Sequence, residues 1–259
     1  ASALDNVIGV YSLVSDYGSQ FLRFGENGPE SVFEIQYSNQ SNWYDWGCAH
    51  CSEGNYAIIM NGPRGWSGPE YAQGWSFNVP TAEFYNSFEE GDSRRDATVL
   101  DIEAFAAATG SSYTEGYDHT GYFNNKYIPR AGESGGQTEL NYLTNFRIIR
   151  YSDVLLMAAE AYNRGGIDDG LAQEFLNQVR RRAFGDNDHD ISASGTALTD
   201  AIWEERKFEL SLEGHRFFDL VRTERASSLI PGFVEGKHEV FPIPQQEIDI
   251  SGLTQNAGY

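Results

Sequence analysis

Aromatic and polar residues concentrate between residues 38 and 80, and their chemistry suits the binding of a sugar. Indole and phenol rings offer apolar faces to the C–H side of a sugar ring, while amides and a guanidinium bind its hydroxyl groups. This segment holds four of the five tryptophans of the chain. The predicted ligand-binding residues are Asn42, Trp43, Tyr44, Trp46, Asn61, Arg64, Trp66, Tyr71 and Trp75.

The same aromatic segment has a second interpretation, in which the rings pack on one another as a small core beneath a long loop. Six glycines lie between Gly47 and Gly74, and no period of 2 or 3.6 residues survives there. The pattern therefore predicts a long irregular segment rather than a helix or strand. Long irregular segments tend to be functional or disordered, and the aromatic content argues against disorder.

Cys48 and Cys51 form a single Cys-x-x-Cys pair, with His50 between them. In an exported protein this spacing favours a local disulfide, whereas in a cytosolic protein it favours two thiols or a metal pair. A structural zinc site would need four ligands. We therefore predict a possible disulfide and no zinc site.

The loop around residues 186–190 spaces carboxylates two residues apart, as calcium-binding loops do. Asp186, Asp188 and Asp190 are weak calcium candidates, because the glycine of an EF-hand loop is missing and Ala197 replaces its closing glutamate. The chain contains no HExxH, GxSxG, P-loop or dinucleotide-binding pattern. We predict no cofactor and no enzymatic activity; a glycan hydrolase with an unrecognised pair among the 38 acidic residues is the alternative.

The overall charge excludes two classes of partner. The chain of 259 residues has a formal net charge of -20 and a pI of about 4.5. Nucleic acids and anionic membrane surfaces require a basic face, so neither is an expected partner. No apolar run approaches the ~20 residues of a membrane-spanning helix.

The spacing of apolar residues predicts the elements that must position these side chains. Strand alternation covers residues 32–37, and Thr81 and Asp168 are suited to cap the helices that follow them. Gly165 and Gly166 predict a turn between two antiparallel helices. Helices are predicted at residues 4–17, 82–90, 145–164, 168–184 and 201–222.

The predicted helix at 201–222 is dense in opposite charges placed three residues apart, which puts them on one helix face. We interpret these residues as structural, forming partly buried pairs that hold neighbouring helices and the carboxy-terminal tail in register. The set comprises Glu205, Arg206, Glu209, Glu213, Arg216, Asp219 and Arg222.

Several stretches resemble, in the same order, the SusD/RagB family of outer-membrane nutrient-binding lipoproteins. ESVFEIQYS at 30–38 is similar to the segment after the family's amino-terminal helical region. The remaining matches are RIIRYSDVLLMAAEAYNRGG, LNQVRRRAF, the 201–222 helix, FPIPQQEI and LTQNAGY. The chain has about half of the family's usual length, and the region from 38 to 80 matches no family pattern.

The resemblance implies a mainly helical, tetratricopeptide-like solenoid with long irregular loops and a few short strands. It implies one domain over 1–259, in which 1–37 ends the amino-terminal helical region, 38–140 is variable and 141–259 carries the family pattern. The expected function is non-catalytic binding of oligosaccharide or polysaccharide at the bacterial cell surface. The implied partner is a TonB-dependent, SusC-like transporter of the outer membrane, with a lipid anchor that this chain lacks. A structural protein-interaction module is the other alternative.

Overall fold

The computed structural model describes residues 1–40, 53–134 and 141–259. These residues fall into two compact units, Ala1–Glu213 and Gly214–Tyr259. The single domain expected over 1–259 stays a prediction. The fold is mainly helical with a few short strands, which confirms the predicted class. None of the described helices is long and apolar enough to cross a bilayer.

The first unit alternates short helices and strands before its long helices. Its helices are α1 (Ser2–Asp5), α2 (Ala57–Asn61), α3 (Ala82–Asn86), α4 (Arg94–Thr98), α5 (Ile102–Thr109), α6 (Tyr151–Arg164), α7 (Asp169–Phe184) and α8 (Gly195–Glu209). Its strands are β1 (Ser31–Ile35), β2 (Arg64–Ser67), β3 (Val99–Asp101), β4 (Ser112–Thr114), β5 (Tyr122–Asn124) and β6 (Phe146–Arg150). They form three antiparallel pairs, β1 with β6, β2 with β4 and β3 with β5.

Helices α6, α7 and α8 pack together around the largest apolar core of the first unit. Gly166 at φ +62° makes the turn after α6, and the Asp168 carboxylate caps α7 by accepting the Leu171 N–H at 3.0 Å. Leu155, Leu176 and Ile202 contribute one fully buried side chain from each helix. This arrangement is the predicted tetratricopeptide-like helix hairpin.

The helix predicted over 145–164 is wrong in its first turn. Residues Phe146–Arg150 form β6 instead, which pairs with β1 so that Ile35 lies opposite Phe146. Adjacent β-branched residues, Ile148 and Ile149, favour this extended conformation. The helix begins only at Tyr151.

The helix predicted over 201–222 is also wrong, because it is two helices rather than one. Helix α8 ends at Glu209, and α9 (Arg216–Arg222) begins the second unit. Between them, Leu212 and Gly214 adopt φ values of +63° and +88°. A left-handed residue ends an α-helix, and glycine takes this conformation at no steric cost.

Two further helices are shorter than predicted. The amino-terminal helix covers Ser2–Asp5 rather than 4–17, because Gly9 at φ +83° interrupts the segment, although Leu4 and Val7 still pack on the main core. Helix α3 ends at Asn86 rather than at residue 90, and Thr81 caps it as predicted by accepting the Phe84 N–H.

The second unit contains α9, α10 (Ala226–Leu229) and α11 (Gln245–Ser251). Arg222 pairs with Asp219 at 2.8 Å, at the predicted three-residue spacing. The extended segment before α11 is held by Gln255, whose side-chain amide both donates to and accepts from the backbone of Ile243 at 2.8 Å. Short polar contacts of this kind organise the carboxy-terminal tail.

A buried ion network crosses the first unit and joins α7, α8, the end of β6 and the loops around residues 30, 92 and 126. Its central residues are Arg150, which bonds to Glu30, Glu209 and Glu213 at 2.7–2.9 Å, and Glu209, which also binds Arg182 at 2.6 Å. In the described residues the buried ion network consists of Arg94, Lys126, Arg150, Arg180, Arg182, Glu30, Asp92, Glu205, Glu209 and Glu213.

The opposite charges of the buried ion network favour the ionised state of one another, although burial disfavours it. Burial alone would raise the pKa of the Glu209 carboxyl, but Arg182, Arg150 and Arg94 hold that pKa well below its ordinary value. Burial lowers the pKa of the Lys126 ammonium to about 8 despite the Glu213 carboxylate, which lies 2.6 Å from Nζ. Removing one member would therefore leave its buried partners with fewer opposite charges.

Candidate functional site

The predicted aromatic segment is built on the small β2–β4 ladder, in which Arg64 lies opposite Thr114 and Ser67 opposite Ser112. Gly65, at φ +59°, allows the two strands to approach closely. A methyl group in its place would lie 2.5 Å from Oγ1 of Thr114. Glycine at this position therefore lets β4 pack directly against the start of β2.

A loop over residues 74–78 runs beside α2 and β2 and is held by backbone hydrogen bonds. The N–H groups of Trp75, Ser76 and Phe77 donate to the carbonyls of Ile59, Gly62 and Met60 at 2.8–2.9 Å. Ser76 and Asn78 adopt φ values of +58° and +51°. Left-handed conformations at non-glycine residues are sparsely populated and cluster at binding sites.

This loop fixes the direction of the Arg64 side chain. The Arg64 N–H donates to Oγ of Ser76 at 3.1 Å, and Nε donates to the Trp75 carbonyl at 2.9 Å. The guanidinium carbon lies 5.9 Å from the centre of the Phe77 ring, within the range of a cation–π contact. Arg64 is exposed, so its terminal N–H groups can donate to a ligand.

Two exposed aromatic residues lie on the segments that meet at Arg64. Phe77 is 53% exposed and Tyr117 is 90% exposed. Gly116 brings the Tyr117 turn against the loop, because a methyl group at Gly116 would lie 2.7 Å from Cβ of Ser76 and 4.0 Å from Cδ of Arg64. We call Arg64, Phe77 and Tyr117 the Arg64 surface.

Trp66 and Tyr71 lie in a different environment, an apolar cluster with Phe105. The Trp66 ring is half-buried and meets the Tyr71 and Phe105 rings at centroid distances of 5.9 Å. Tyr71 is buried, its hydroxyl donates to Asn125 at 3.2 Å, and burial raises its pKa to about 12. The rings of this pair therefore serve packing, and ligand binding by either remains a prediction.

Asn61 and Trp75 also pack inside the protein. Asn61 is buried and donates from its amide to the Tyr127 carbonyl at 2.9 Å, while Nδ2 of Asn78 approaches its side-chain oxygen at 3.4 Å. Trp75 is half-buried against a core cluster that contains Tyr17 and Ile59. Their predicted binding roles are untested, and what they visibly do is support the loop that carries Arg64.

Six of the predicted residues lie outside the described part of the chain. They are Asn42, Trp43, Tyr44 and Trp46 of the binding set and the possible disulfide pair, Cys48 and Cys51. Their predicted roles stay predictions.

Two of the three weak calcium candidates, Asp186 and Asp190, are engaged with protein groups. Asp190 pairs with Arg181 at 2.6 Å, and Asp186 accepts from the N–H of Asp188 at 3.0 Å and lies 3.0 Å from Nδ1 of His189. In the described ranges no three His, Cys, Asp or Glu residues are placed to hold a metal ion.

Sequence reasoning missed both exposed rings of the Arg64 surface. Phe77 was one aromatic among many in an aperiodic segment, and Tyr117 lies well beyond it along the chain. The available signal for Tyr117 was its position between Gly116 and Asp118, since an aromatic side chain in a polar turn has little core to join.

The described fold agrees with comparisons against known proteins. Residues 101–236, more than half of the chain, match the model of the SusD family. The chain belongs to the SusD family.

Known relatives match this chain over almost all of its residues. SusD-like protein P2 of Formosa agariphila is 29% identical over 256 residues, which cover 89% of this chain and 48% of that protein. A laminarin-binding SusD-like protein of known structure is 36% identical with a TM-score of 0.87, and the match covers all of this chain and 58% of that one.

Surface glycan-binding protein A of Bacteroides thetaiotaomicron, solved in complex with laminarihexaose, is 34% identical with a TM-score of 0.87. That match covers 98% of this chain and 58% of the solved chain. The chain therefore spans about half the length of the relatives that it matches.

Proposed function

We propose that this protein binds a neutral oligosaccharide or polysaccharide without cleaving it, and that the Arg64 surface contacts the sugar. The observation that carries the proposal is the exposed, oriented Arg64 guanidinium beside the exposed Phe77 ring, with exposed Tyr117 on the turn that packs against the same loop. The family membership and the laminarihexaose bound to a relative support the same class of ligand.

The Arg64 surface has both kinds of contact that sugar recognition needs. The Phe77 and Tyr117 rings offer apolar faces for stacking, and the Tyr117 hydroxyl can donate or accept a hydrogen bond. Arg64 supplies N–H donors whose position is fixed by the Trp75 carbonyl at 2.9 Å. Orienting a donor before the ligand arrives lowers the entropy that binding must offset.

The net charge favours a neutral ligand. With a formal net charge of -20, the protein repels uronates and sulfated sugars at a distance. A neutral glucan of the laminarin type meets no such barrier. Neutral sugars are therefore the expected class.

The proposed location is the outer surface of a bacterial outer membrane, where the protein delivers its ligand to a TonB-dependent, SusC-like transporter. Family membership supports this part of the proposal. The second unit carries large exposed apolar side chains, among them Phe218, Phe241 and Ile250, and exposed apolar surface is typical of a protein-contact face.

The test is retention in affinity electrophoresis through gels that contain laminarin. Tyr117→Ala and Arg64→Ala should each weaken binding by about fivefold or more, by analogy with aromatic stacking worth about 1–3 kcal/mol per ring. The matched controls are Phe24→Ala, which removes another exposed ring, and Arg95→Ala, which removes another partly exposed arginine. If the test variants migrate like wild type, the Arg64 surface does not bind the sugar.

The non-catalytic part of the proposal has its own test. Burial raises the pKa of the Glu26 carboxyl, which accepts the Asn145 N–H at 2.8 Å, while Nδ2 of Asn145 donates to Glu34 at 3.1 Å. A carboxyl of raised pKa is what a glycosidase uses as general acid. We expect no release of reducing ends from laminarin, and turnover abolished by Glu26→Gln would show an enzyme instead.

A further inference from the structure

A cleft of about 440 Å³ opens in the first unit, between the carboxyl end of α6 and the amino-terminal half of α8. Its volume lies within the ~300–1,000 Å³ range of small-molecule sites. Its walls are Asn163, Arg164, Gly195, Thr196, Thr199, Asp200 and Trp203. None of these residues belongs to the Arg64 surface.

One face of α8 supplies most of the cleft. Thr196, Thr199, Asp200 and Trp203 occupy positions i, i+3, i+4 and i+7 of α8, so they form a single stripe along the helix. Such a stripe combines a half-buried indole with two hydroxyls and a carboxylate. Flat apolar surface beside hydrogen-bonding oxygens is the combination that a sugar ring requires.

The opposite wall is held in place by hydrogen bonds. Nδ2 of Asn163 donates to Asp169 at 2.7 Å and to the Gly195 carbonyl at 3.0 Å, which ties the end of α6 to the start of α8. Arg164 is anchored to Glu160 at 2.9 Å, and its guanidinium lies 5.6 Å from the Trp203 ring centre. The cleft is therefore pre-formed.

The charges around the cleft select a neutral ligand. An anionic sugar would meet the Asp200 carboxylate, and the Arg164 charge that could offset it is already paired with Glu160. A cationic ligand would compete for the Trp203 ring with the Arg164 guanidinium, which already lies 5.6 Å from the ring centre. A neutral sugar avoids both penalties, because its hydroxyls donate to Asp200 and accept from Arg164.

We propose that this cleft is a second sugar-binding subsite, in which one unit of a neutral oligosaccharide lies against Trp203 with its hydroxyls bonded to Asp200, Thr196 and Arg164. The inference rests on the proposed glycan-binding function for its ligand class, and it adds a site separate from the Arg64 surface. Two separate sites on one chain would raise its avidity for a long polysaccharide.

The experiment is ¹⁹F NMR of the chain labelled with 5-fluorotryptophan, which keeps every indole in place. Trp203→Phe assigns the Trp203 resonance by removing it. Laminarihexaose, cellohexaose, maltohexaose and xylohexaose are then titrated into wild type and into Tyr117→Ala. We expect at least one of these sugars to move the Trp203 resonance saturably in both proteins.

A charge-matched pair of variants tests the polar contacts without touching the indole. Asp200→Asn should raise the dissociation constant, measured from the Trp203 resonance, by about tenfold. Glu204→Gln, which removes a charge of α8 that pairs with Lys207 outside the cleft, should leave that constant unchanged. Equal constants for the two variants would contradict the proposed role of Asp200.

The outcomes separate the two proposals. A static Trp203 resonance with every sugar overturns the subsite, even when Tyr117→Ala lowers retention in the laminarin gel and the proposed function stands. A moving Trp203 resonance together with full retention of Tyr117→Ala and Arg64→Ala supports the subsite and removes the Arg64 surface from the function.

Discussion

Arginine beside aromatic rings occurs in two regions of this protein with opposite consequences. In the buried ion network, Arg150 is 2% exposed, lies 5.3 Å from the Phe21 ring centre, and donates to Glu30, Glu209 and Glu213. On the Arg64 surface, Arg64 is exposed and lies 5.9 Å from the Phe77 ring. The same pair of residue types is scaffold in one place and candidate ligand contact in the other.

The difference lies in the occupancy of the donors. All three guanidinium nitrogens of Arg150 donate to protein oxygens, so none remains for a ligand. Arg64 donates Nε to a protein carbonyl, which orients its terminal nitrogens, and no acceptor in the described residues binds those nitrogens. Residue type therefore says less about function than the number of partners around it.

The largest expected effect is that of Arg150→Ala on stability. This change leaves Glu30, Glu209 and Glu213 buried with fewer cations, and breaking a buried pair costs about 3–5 kcal/mol. We expect the variant to lose the cooperative unfolding transition in a urea titration that is monitored by circular dichroism. A variant that unfolds like wild type would show that the buried ion network does not hold the first unit together.

Arg206→Ala should have a smaller but still severe effect. Arg206 bonds to Asp153 at 2.6 Å with both side chains buried, so the change should lower the free energy of unfolding by about 3 kcal/mol. Its neighbour Lys207 pairs with exposed Glu204, and Lys207→Ala should cost less than about 1 kcal/mol. Equal losses in urea titrations of the two variants would remove the distinction between buried and exposed pairs.

Acid should weaken the buried ion network in wild type. The pKa values of Glu209 and Glu213 are lower in the folded than in the unfolded state, because their arginine and lysine partners outweigh burial. In the unfolded state a glutamate carboxyl has a pKa of about 4.5, so below that pH the unfolded state binds more protons than the folded state. The stability that these two carboxylates contribute is therefore complete above about pH 4.5 and is lost as the pH falls. In urea titrations between pH 7 and 3, the midpoint concentration of urea should decrease once the pH drops below about 4.5. In Glu209→Gln this decrease should be less steep.

The smallest effects on stability are expected at the Arg64 surface. Arg64→Ala and Tyr117→Ala remove exposed side chains, so each should change the free energy of unfolding by no more than about 0.5 kcal/mol while weakening sugar binding. Urea titration and laminarin affinity electrophoresis on the same samples make the comparison. A variant that loses both properties would place Arg64 or Tyr117 in the scaffold.

Much of the fold was predictable from the sequence, because apolar spacing and capping residues act locally. The Asp168 cap, the turn at Gly166 and the helix to Phe184 all appear as predicted. The helix breaks at Gly9 and Gly214 were not predictable, because a glycine is compatible with a helix interior and with a left-handed turn. The strand at Phe146–Arg150 was missed because its partner, β1, lies more than 100 residues away.

The candidate site was less predictable than the fold. The sequence identified an aromatic segment, and it singled out Arg64, which the structure places at the surface. It did not separate Tyr71, which is buried, from Tyr117, which is 90% exposed. Exposure depends on which other segments cover a ring, and composition carries no such information.

The sequence by itself determined the family, the mainly helical class and the acidic character, since these follow from motif order, local periodicity and charge count. Only the tertiary structure decided which charges are buried partners and which aromatic rings face solvent. Glu209 meets Arg94, Arg150 and Arg182 from three distant segments. Contacts between residues so far apart in sequence result from tertiary packing. In the low dielectric of the interior each of these ion pairs has a large effect on stability.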